Sequence, residues 1–187
     1  MEENKVSRIG YELWDIMRVL LISLAIVLPV RYFLVQPFIV RGASMEPTFH
    51  DSEYLIVDEL SYYLRAPERG EVVVFRYPRD PSQFFIKRIM GLPGEDVDIR
   101  DGRVNIINAE HPSGFVVDEE YLDPPNRPTY PNVHRKLGMD EYFVLGDNRD
   151  FSSDSRIWGV LPKKFLTGRT LLRVWPPNRF GTVTVSH

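Results

Sequence analysis

The first 40 residues contain one long apolar run. From Val19 to Val30 no side chain carries a charge, and Arg18 and Arg31 stand at its two ends. A helix rises about 1.5 Å per residue, so the two arginines would lie roughly 20 Å apart, which is less than the ~30 Å hydrocarbon core of a bilayer. Arginine side chains at both ends can extend to the interface and supply much of the difference. The pattern therefore predicts a single membrane anchor at about residues 14–35, within an N-terminal segment of residues 1–36.

Two alternatives to an anchor are a buried core helix and a cleavable signal peptide. A signal peptide ends in a small-x-small cleavage site, but the run is followed by Arg31-Tyr32-Phe33-Leu34. Basic residues before the run, at Lys5, Arg8 and Arg18, favour a cytoplasmic N-terminus only weakly, because basic residues also follow it.

Beyond residue 36 the apolar positions fall in short runs separated by Gly and Pro. This pattern is typical of β-strands, and 15 prolines in 187 residues argue against long helices after the N-terminus. Residues 109–133 hold five of these prolines and are predicted to form a surface excursion. The predicted strands are residues 37–40, 54–60, 71–77, 84–90, 97–100, 103–107, 141–145 and 169–175.

Composition narrows the classes of function. Hydrophobic residues make up 43% of the chain, enough for a packed core, while a mean hydropathy of -0.22 excludes a protein with several membrane spans. The net charge is -3 and neither half of the chain has a basic excess, so no binding of nucleic acid is expected. The absence of cysteine excludes disulfides, thiolate metal sites and cysteine nucleophiles.

The sequence predicts no metal or cofactor. Asp150, Ser152 and Asp154 stand at alternate positions, as in a calcium loop, but Ser155 occupies the position where that loop needs Gly. A turn closed by Asx hydrogen bonds is the alternative for this segment. A metal-binding spacing such as H-x-x-x-H is also missing among the four histidines, which are His50, His111, His134 and His187.

The strand predicted at residues 84–90 places a cation on each of its faces. Side chains alternate between faces, so Lys87 lies with Phe85 and Ile89, while Arg88 lies on the opposite face. A lysine buried among apolar neighbours has a lowered pKa, because desolvation penalises its charged form, and the neutral amine can act as a general base. An edge strand with two solvated cations is the alternative.

Ser44 is a candidate partner for this lysine. It lies in the turn Gly42-Ala43-Ser44-Met45-Glu46-Pro47, directly after a predicted strand. A serine hydroxyl is a poor nucleophile until a base takes its proton, and a lysine can do this without histidine.

Three segments of the chain together resemble the bacterial type I signal peptidases (signal peptidase I family). They are Ser44-Met45-Glu46-Pro47-Thr48-Phe49, Phe85-Ile86-Lys87-Arg88-Ile89 with Gly91-Leu92-Pro93-Gly94, and Gly146-Asp147-Asn148 through Asp154-Ser155-Arg156. They occur in the family's order behind one N-terminal anchor, over about residues 10–176. The resemblance implies a mainly β fold, with a single N-terminal transmembrane helix and an antiparallel β-rich catalytic domain at 37–187 that carries a small insertion lobe at about 96–139.

The resemblance also implies an activity, a location and a site. The activity is that of a serine endopeptidase that removes signal peptides from exported preproteins at the outer face of the bacterial cytoplasmic membrane, without a cofactor. By this match Ser44 is the nucleophile, Lys87 is the general base, and Ser152 stands where the family has a serine that orients the lysine. Gly42 replaces a serine that donates to the oxyanion in some members, which leaves the Ser44 backbone N–H as the main donor. The other supporting positions are Asp147, Asp154, Arg156 and Arg88.

The same match implies how a substrate is bound. In the family, residues beside the nucleophile and the lysine line two shallow apolar pockets for small side chains at substrate positions -1 and -3. The peptide would add as an extended strand to an exposed edge, and its alternating side chains explain why -1 and -3 are read together. Here the pocket residues are Phe38, Val40, Met45 and Ile86. A core role is the alternative for Phe38 and Val40.

Two other functions remain open from the sequence. A self-cleaving repressor-type protease uses the same serine and lysine chemistry, but it needs an N-terminal DNA-binding helix-turn-helix where this chain has an apolar run. The other is an anchored β-domain that binds exported chains without cleaving them, and Ser44→Ala would leave that function intact.

Overall fold

The computed structural model of the protein describes residues 3–29, 35–124 and 128–183. The chain divides into two units, residues 1–36 and residues 37–187. The first unit contains helix α1 (Glu3–Pro29). Arg31, which was predicted to flank the apolar run, lies outside the described residues, as does His187.

Helix α1 exposes apolar side chains. Trp14, Leu21 and Val27 are 67%, 60% and 57% exposed. Among the residues that the structure describes, however, no helix is both long enough and apolar enough to cross a bilayer. The transmembrane part of the predicted fold is therefore not confirmed.

The second unit is built on a sheet of eight strands with antiparallel pairings. Its strands are β1 (Val35–Ile39), β2 (Tyr54–Asp58), β3 (Val72–Tyr77), β4 (Asp80–Gly91), β9 (Glu141–Leu145), β10 (Leu161–Pro162), β11 (Leu166–Trp175) and β12 (Gly181–Thr182). The order across the sheet is β1-β2-β11-β3-β4-β9-β10, and β12 pairs with β11. The prediction of a mainly antiparallel β domain is confirmed.

The segment that connects β4 to β9 in the sequence forms a smaller sheet of four strands. Its strands are β5 (Asp96–Arg100), β6 (Arg103–Ile107), β7 (Phe115–Val116) and β8 (Val133–Lys136), and their order is β7-β6-β5-β8. After α1 the described helices are single turns, as the spacing of the prolines predicted. They are α2 (Ser61–Leu64), α3 (Ser155–Trp158) and 3₁₀ turns at Lys163–Phe165 and Pro177–Arg179.

The position of β3 and β4 in the sheet explains their apolar sequences. All residues from Val72 to Phe75 are buried, because Val73 and Phe75 pack in one apolar cluster and Val72 packs in another, so both faces of β3 are covered. Among the described residues, the pairing of β4 with β9 begins at Arg88, so Asp80 and residues 84–87 pair with β3 alone. One edge of this half of β4 is therefore open for backbone pairing.

Both cations of β4 are buried, which rules out the alternative of a solvated edge. Lys87 is 4% exposed and Arg88 is 1% exposed. The excursion at 109–133 is also less superficial than predicted, since Leu122 and Thr129 are buried.

Candidate active site

The structure brings Ser44 and Lys87 together. Ser44 lies in the turn after β1, and Lys87 extends towards it from β4. Lys87 Nζ lies 2.7 Å from Ser44 Oγ and 2.8 Å from the carbonyl oxygen of Ile86. Both distances are within hydrogen-bond range, so a neutral amine in this position can accept the hydroxyl proton directly.

The environment of Lys87 favours its neutral form. Burial lowers the pKa of Lys87 to about 8, while the negative charges of Asp154 and Asp147 act in the opposite direction. About half of the lysine is therefore neutral near pH 8. A base whose pKa lies close to the working pH is an efficient proton acceptor.

The backbone on the N-terminal side of Ser44 is fixed in a tight turn. Gly42 has a φ of +82°, which favours glycine, and its N–H donates to Asp51 Oδ1 at 2.7 Å. This amide is therefore already bonded. The Ser44 N–H has no acceptor among the described residues and is available to a developing oxyanion.

A second loop, residues 146–149, holds the turn that contains Ser44 (residues 42–47) from the other side. Asn148 donates twice, from its backbone N–H to the Ser44 carbonyl at 3.1 Å and from Nδ2 to the Ala43 carbonyl at 3.1 Å. A Cβ on Gly146 would lie 2.5 Å from the Ser44 carbonyl oxygen, so only glycine allows this close approach. The turn around Ser44 is thus positioned by bonds from a loop about one hundred residues away in sequence.

Asp147 and Arg88 form a buried ion pair beneath the site. Arg88 donates from Nε to Asp147 Oδ1 at 2.9 Å and from Nη2 to Oδ2 at 2.7 Å. Both side chains are almost inaccessible to solvent. Thr48 Oγ1 donates to the same carboxylate at 2.5 Å, so the pair connects β4 with the nucleophile turn and the 146–149 loop.

Asp154 organises the end of the same loop. It caps α3 by accepting from the Arg156 N–H at 3.2 Å, and its Oδ2 accepts from the Gly146 N–H at 3.1 Å. The Arg156 guanidinium pairs with this carboxylate at 2.8 Å. The bond from the Arg156 N–H to the Asp154 carboxylate closes an Asx-type turn, which was the alternative for this segment. In the part of the chain that the structure describes, no cluster of side chains could hold a metal ion.

A cleft of about 640 Å³ runs past Ser44 and Lys87. Its two walls come from the segment at and after β1 and from the half of β4 that has an open edge. Among the predicted pocket residues, Phe38, Val40 and Ile86 line it. Val40 is 4% exposed and packs in the core with Phe49 and Leu55, so it has the core role that was the alternative, and its place in a substrate pocket stays a prediction.

Comparison with known proteins decides the family. The family model described as signal peptidase, peptidase S26, matches residues 13–175. The chain belongs to this family. It is a serine endopeptidase that removes signal peptides, and the alternative of a binding domain without cleavage is not supported.

Two relatives, from Synechocystis sp. and Leptolyngbya laminosa, agree with this assignment. The chain is 41% identical over 161 residues to a probable signal peptidase I-2 of Synechocystis sp., covering 83% of this chain and 70% of that protein. It is 37% identical over 167 residues to a signal peptidase I of Leptolyngbya laminosa, covering 86% and 78%. The crystal structure of a signal peptidase I from Enterococcus faecalis is 30% identical, covers 56% of this chain and 97% of that chain, and has a TM-score of 0.49.

Two residues that the family resemblance assigned to the site are placed differently here. Met45 is completely buried in the core beside Phe49 and does not line the cleft. The turn directs the Met45 side chain inwards, so the structure leaves no surface of Met45 open to the cleft for its predicted pocket role. Ser152 is buried next to Gly146, but its Oγ has no hydrogen-bond partner among the described residues and does not contact Lys87 by a hydrogen bond.

Arg149 is a site residue that sequence reasoning did not identify. It is 3% exposed, donates from Nε to the Gly146 carbonyl at 3.0 Å, and pairs with Glu119 and Thr129 of the 109–133 excursion. The bonds of Arg149 to the 109–133 excursion thus hold the 146–149 loop in position. The only sequence signal was an arginine inside a motif of short polar residues, which does not indicate its partners.

Proposed function

We propose that this chain cleaves signal peptides through a Ser44–Lys87 dyad. The observation that carries the proposal is the 2.7 Å distance between Lys87 Nζ and Ser44 Oγ, at a lysine whose pKa burial lowers to about 8. A nucleophile within hydrogen-bond reach of a base is the arrangement that covalent catalysis needs.

In the first half of the reaction, Ser44 becomes acylated. Lys87 Nζ takes the hydroxyl proton while Ser44 Oγ bonds to the carbonyl carbon of substrate residue -1. The carbonyl oxygen gains the negative charge, and the Ser44 N–H donates to it. When the intermediate collapses, the C–N bond breaks and the lysine ammonium returns its proton to the leaving amine.

In the second half, water releases the signal peptide from Ser44. Lys87, neutral again, accepts a proton from the water as its oxygen bonds to the ester carbonyl carbon. Collapse of this second intermediate breaks the bond to Ser44 Oγ, which recovers a proton from the lysine. The products are the signal peptide with a free carboxylate and the mature chain with a free amine.

The open edge of β4 supports binding of the substrate as an extended strand. In the part of the chain that the structure describes, residues 80–87 of β4 have no partner on the β9 side, and the segment at 38–42 also lines the cleft. A peptide between them gains backbone hydrogen bonds, and its alternate side chains point into the apolar wall of Val40 and Ile86. Shallow apolar pockets of this kind favour small residues at -1 and -3.

Membrane attachment through residues 1–36 forms part of the proposal. It is supported by the uncharged run from Val19 to Val30 and by the exposed apolar side chains of α1. In this arrangement the predicted anchor at about residues 14–35 attaches the chain to the bacterial cytoplasmic membrane as a single pass, the N-terminus is cytoplasmic, and residues 37–187 act on preproteins at the outer face.

Cleavage of a model preprotein tests the proposed dyad. The full chain in detergent is expected to cut a preprotein with alanine at -1 and -3, while Ser44→Ala is expected to give only background cleavage because it lacks the attacking oxygen. Ser113→Ala, at an exposed position in the smaller sheet's loop, is the matched control and should retain full activity. Mass spectrometry of the products identifies the cut bond. Cleavage by Ser44→Ala at the wild-type rate, or equal cleavage with lysine at -1, would contradict the proposal.

Fractionation tests the anchor. Because the apolar surface of α1 is removed, a chain lacking residues 1–36 is expected in the soluble fraction, while the full chain stays with membranes through a high-pH carbonate wash. The truncated chain should keep its β-type circular dichroism as a control for folding. Recovery of the full chain in the wash supernatant would show that residues 1–36 do not anchor it.

A further inference from the structure

A buried ionic cluster lies on the C-terminal side of the turn that contains Ser44. Glu53 stands just before β2 and is 2% exposed. Its Oε2 lies 3.0 Å from Arg173 Nη1 of β11, and its Oε1 lies 2.7 Å from Arg179 Nη1 of the following 3₁₀ turn. A carboxylate at this depth needs such partners, because desolvation penalises an unpaired charge. None of these three residues was identified as a site residue from the sequence.

The backbone after Ser44 makes a single turn of the helical type, called here the 45–49 turn. It is closed by the Phe49 N–H, which donates to the Met45 carbonyl at 2.8 Å. The last carbonyls of a helical turn have no donor within it. A single turn is also marginal on its own, because its formation fixes several residues for one hydrogen bond. The 45–49 turn therefore depends on donors from elsewhere in the chain.

The two arginines of the ionic cluster supply these donors. Arg173 Nη1 donates to the Thr48 carbonyl at 2.9 Å, and its guanidinium lies 5.3 Å from the centre of the Phe49 ring. Arg179 Nη2 donates to the Pro47 carbonyl at 3.3 Å. Arg173 Nε also donates to the Arg179 carbonyl at 2.8 Å, so the two arginines are held relative to each other. The end of the 45–49 turn is thus bonded to β11 and to the segment that follows it.

These bonds bear on the nucleophile because Ser44 directly precedes the 45–49 turn. Asn148 bonds the Ser44 carbonyl from one side, and the two arginines hold the 45–49 turn from the other. Ser44 Oγ lies 2.7 Å from Lys87 Nζ, and a displacement of about 1 Å from a reactive geometry can cost about 10²-fold in rate. Loosening of the 45–49 turn should therefore slow the chemical step.

We propose that Arg173 is a positioning residue for the cleavage reaction, which acts with Glu53 and Arg179 by fixing the turn that follows Ser44. This inference rests on the proposed Ser44–Lys87 dyad. Arg173 lies in β11 and does not line the cleft, so its removal leaves the walls of the cleft in place. Its loss should therefore lower kcat, which reports the attack by Ser44, and leave KM almost unchanged.

Substitution of Arg173 in the full chain in detergent tests the positioning role. Arg173→Met keeps the aliphatic length but has no donor, and we expect its kcat for the model preprotein to fall roughly tenfold to a hundredfold while KM stays within about twofold of the wild-type value. Arg173→Lys keeps a positive charge beside Glu53 and should recover part of the lost kcat. Both constants are measured well below the unfolding temperature of each variant, with circular dichroism as the check on folding.

Arg69→Met is the matched control. Arg69 forms a similarly buried pair with Glu95 at 2.6 Å, away from the 45–49 turn. Its substitution should lower the unfolding temperature and leave kcat of the folded protein unchanged. Glu53→Gln, which removes the charge that holds both arginines, is a milder second variant and should lower kcat in the same direction as Arg173→Met.

The outcomes separate this inference from the proposed function. Wild-type kcat in a folded Arg173 or Glu53 variant, or a change confined to KM, would overturn the positioning role and leave the dyad intact. An equal loss of kcat in Arg69→Met would likewise overturn it, because kcat would then follow general stability. If the wild-type chain shows no Ser44-dependent cleavage at the expected bond, the proposed function fails and the positioning role fails with it.

Discussion

Lys87→Arg is expected to be as inactive as Lys87→Ala. The guanidinium of arginine stays protonated in proteins, so it cannot accept the Ser44 proton although it keeps the positive charge and much of the length. Loss of a positioned general base costs about 10²- to 10⁴-fold in rate, and loss of the whole dyad costs more. The measurement is kcat/KM for one preprotein with wild type and both variants.

Lys163→Arg is the matched control for this substitution. Lys163 is exposed in a 3₁₀ turn, so the same chemical change there should leave the rate unaltered. Circular dichroism and thermal unfolding show whether each Lys87 variant is folded. A folded Lys87→Arg variant with a substantial part of the wild-type rate would mean that lysine is not the base.

Activity is also expected to increase with pH through the pKa of Lys87. Burial lowers this pKa to about 8, so log kcat/KM should rise with a slope near one below pH 8 and level off above it. The substrate itself excludes water from the cleft, so the corresponding midpoint for kcat should lie lower still. A rate that is flat between pH 6 and 9 would contradict the role of a neutral lysine.

The lowered pKa of Lys87 also makes the free energy of unfolding depend on pH. The unfolded lysine holds its proton up to about pH 10.5, while the folded one loses it near pH 8, so the unfolded state binds more protons between these values. Stability should therefore rise with pH across this window, by about 3 kcal/mol, and this lysine should add no further change below pH 8. Lys87→Met, which has no titrating group, should lack this rise in urea unfolding measurements.

The sequence pattern predicted the features that depend on local periodicity. Alternation along β4 put Lys87 and Arg88 on opposite faces of the strand. Whichever face is buried, a cation therefore lies among apolar side chains. The structure buries both, because Arg88 pairs with Asp147 and lies against the Tyr121 ring, while the turn at Ser44 covers Lys87. Periodicity indicates which residues share a face, but it does not show how many layers cover the strand.

Contacts between distant segments could not be predicted in this way. Asn148 bonds to carbonyls of Ala43 and Ser44, and nothing in a run of short polar residues indicates a backbone partner so far away. Met45 illustrates the converse, since its place beside the nucleophile suggested a pocket, whereas the direction of the turn buries it. Such details depend on tertiary packing rather than on local sequence.

Asp147→Asn is expected to cause the largest loss of stability of the substitutions considered. Asp147 is completely buried and accepts two hydrogen bonds from Arg88 and one from Thr48. The amide removes the negative charge and leaves the Arg88 guanidinium buried without its counter-ion, which typically costs about 3–5 kcal/mol. Asp98→Asn is the matched control, because among the described residues Asp98 has an ion pair only with the exposed Arg100, and surface pairs contribute about 1 kcal/mol or less.

The same substitution should move the pH profile in a defined direction. The negative charge of Asp147 raises the pKa of Lys87 against the larger effect of burial, so its removal should let that pKa fall below about 8. Any Asp147→Asn protein that remains folded should therefore reach its maximal kcat/KM at lower pH, even though that maximum is reduced by movement of the nucleophile turn. Urea unfolding and the pH profile together check both effects. A loss of stability no larger than that of Asp98→Asn, or a midpoint shifted to higher pH, would show that the buried pair does not act on the site in this way.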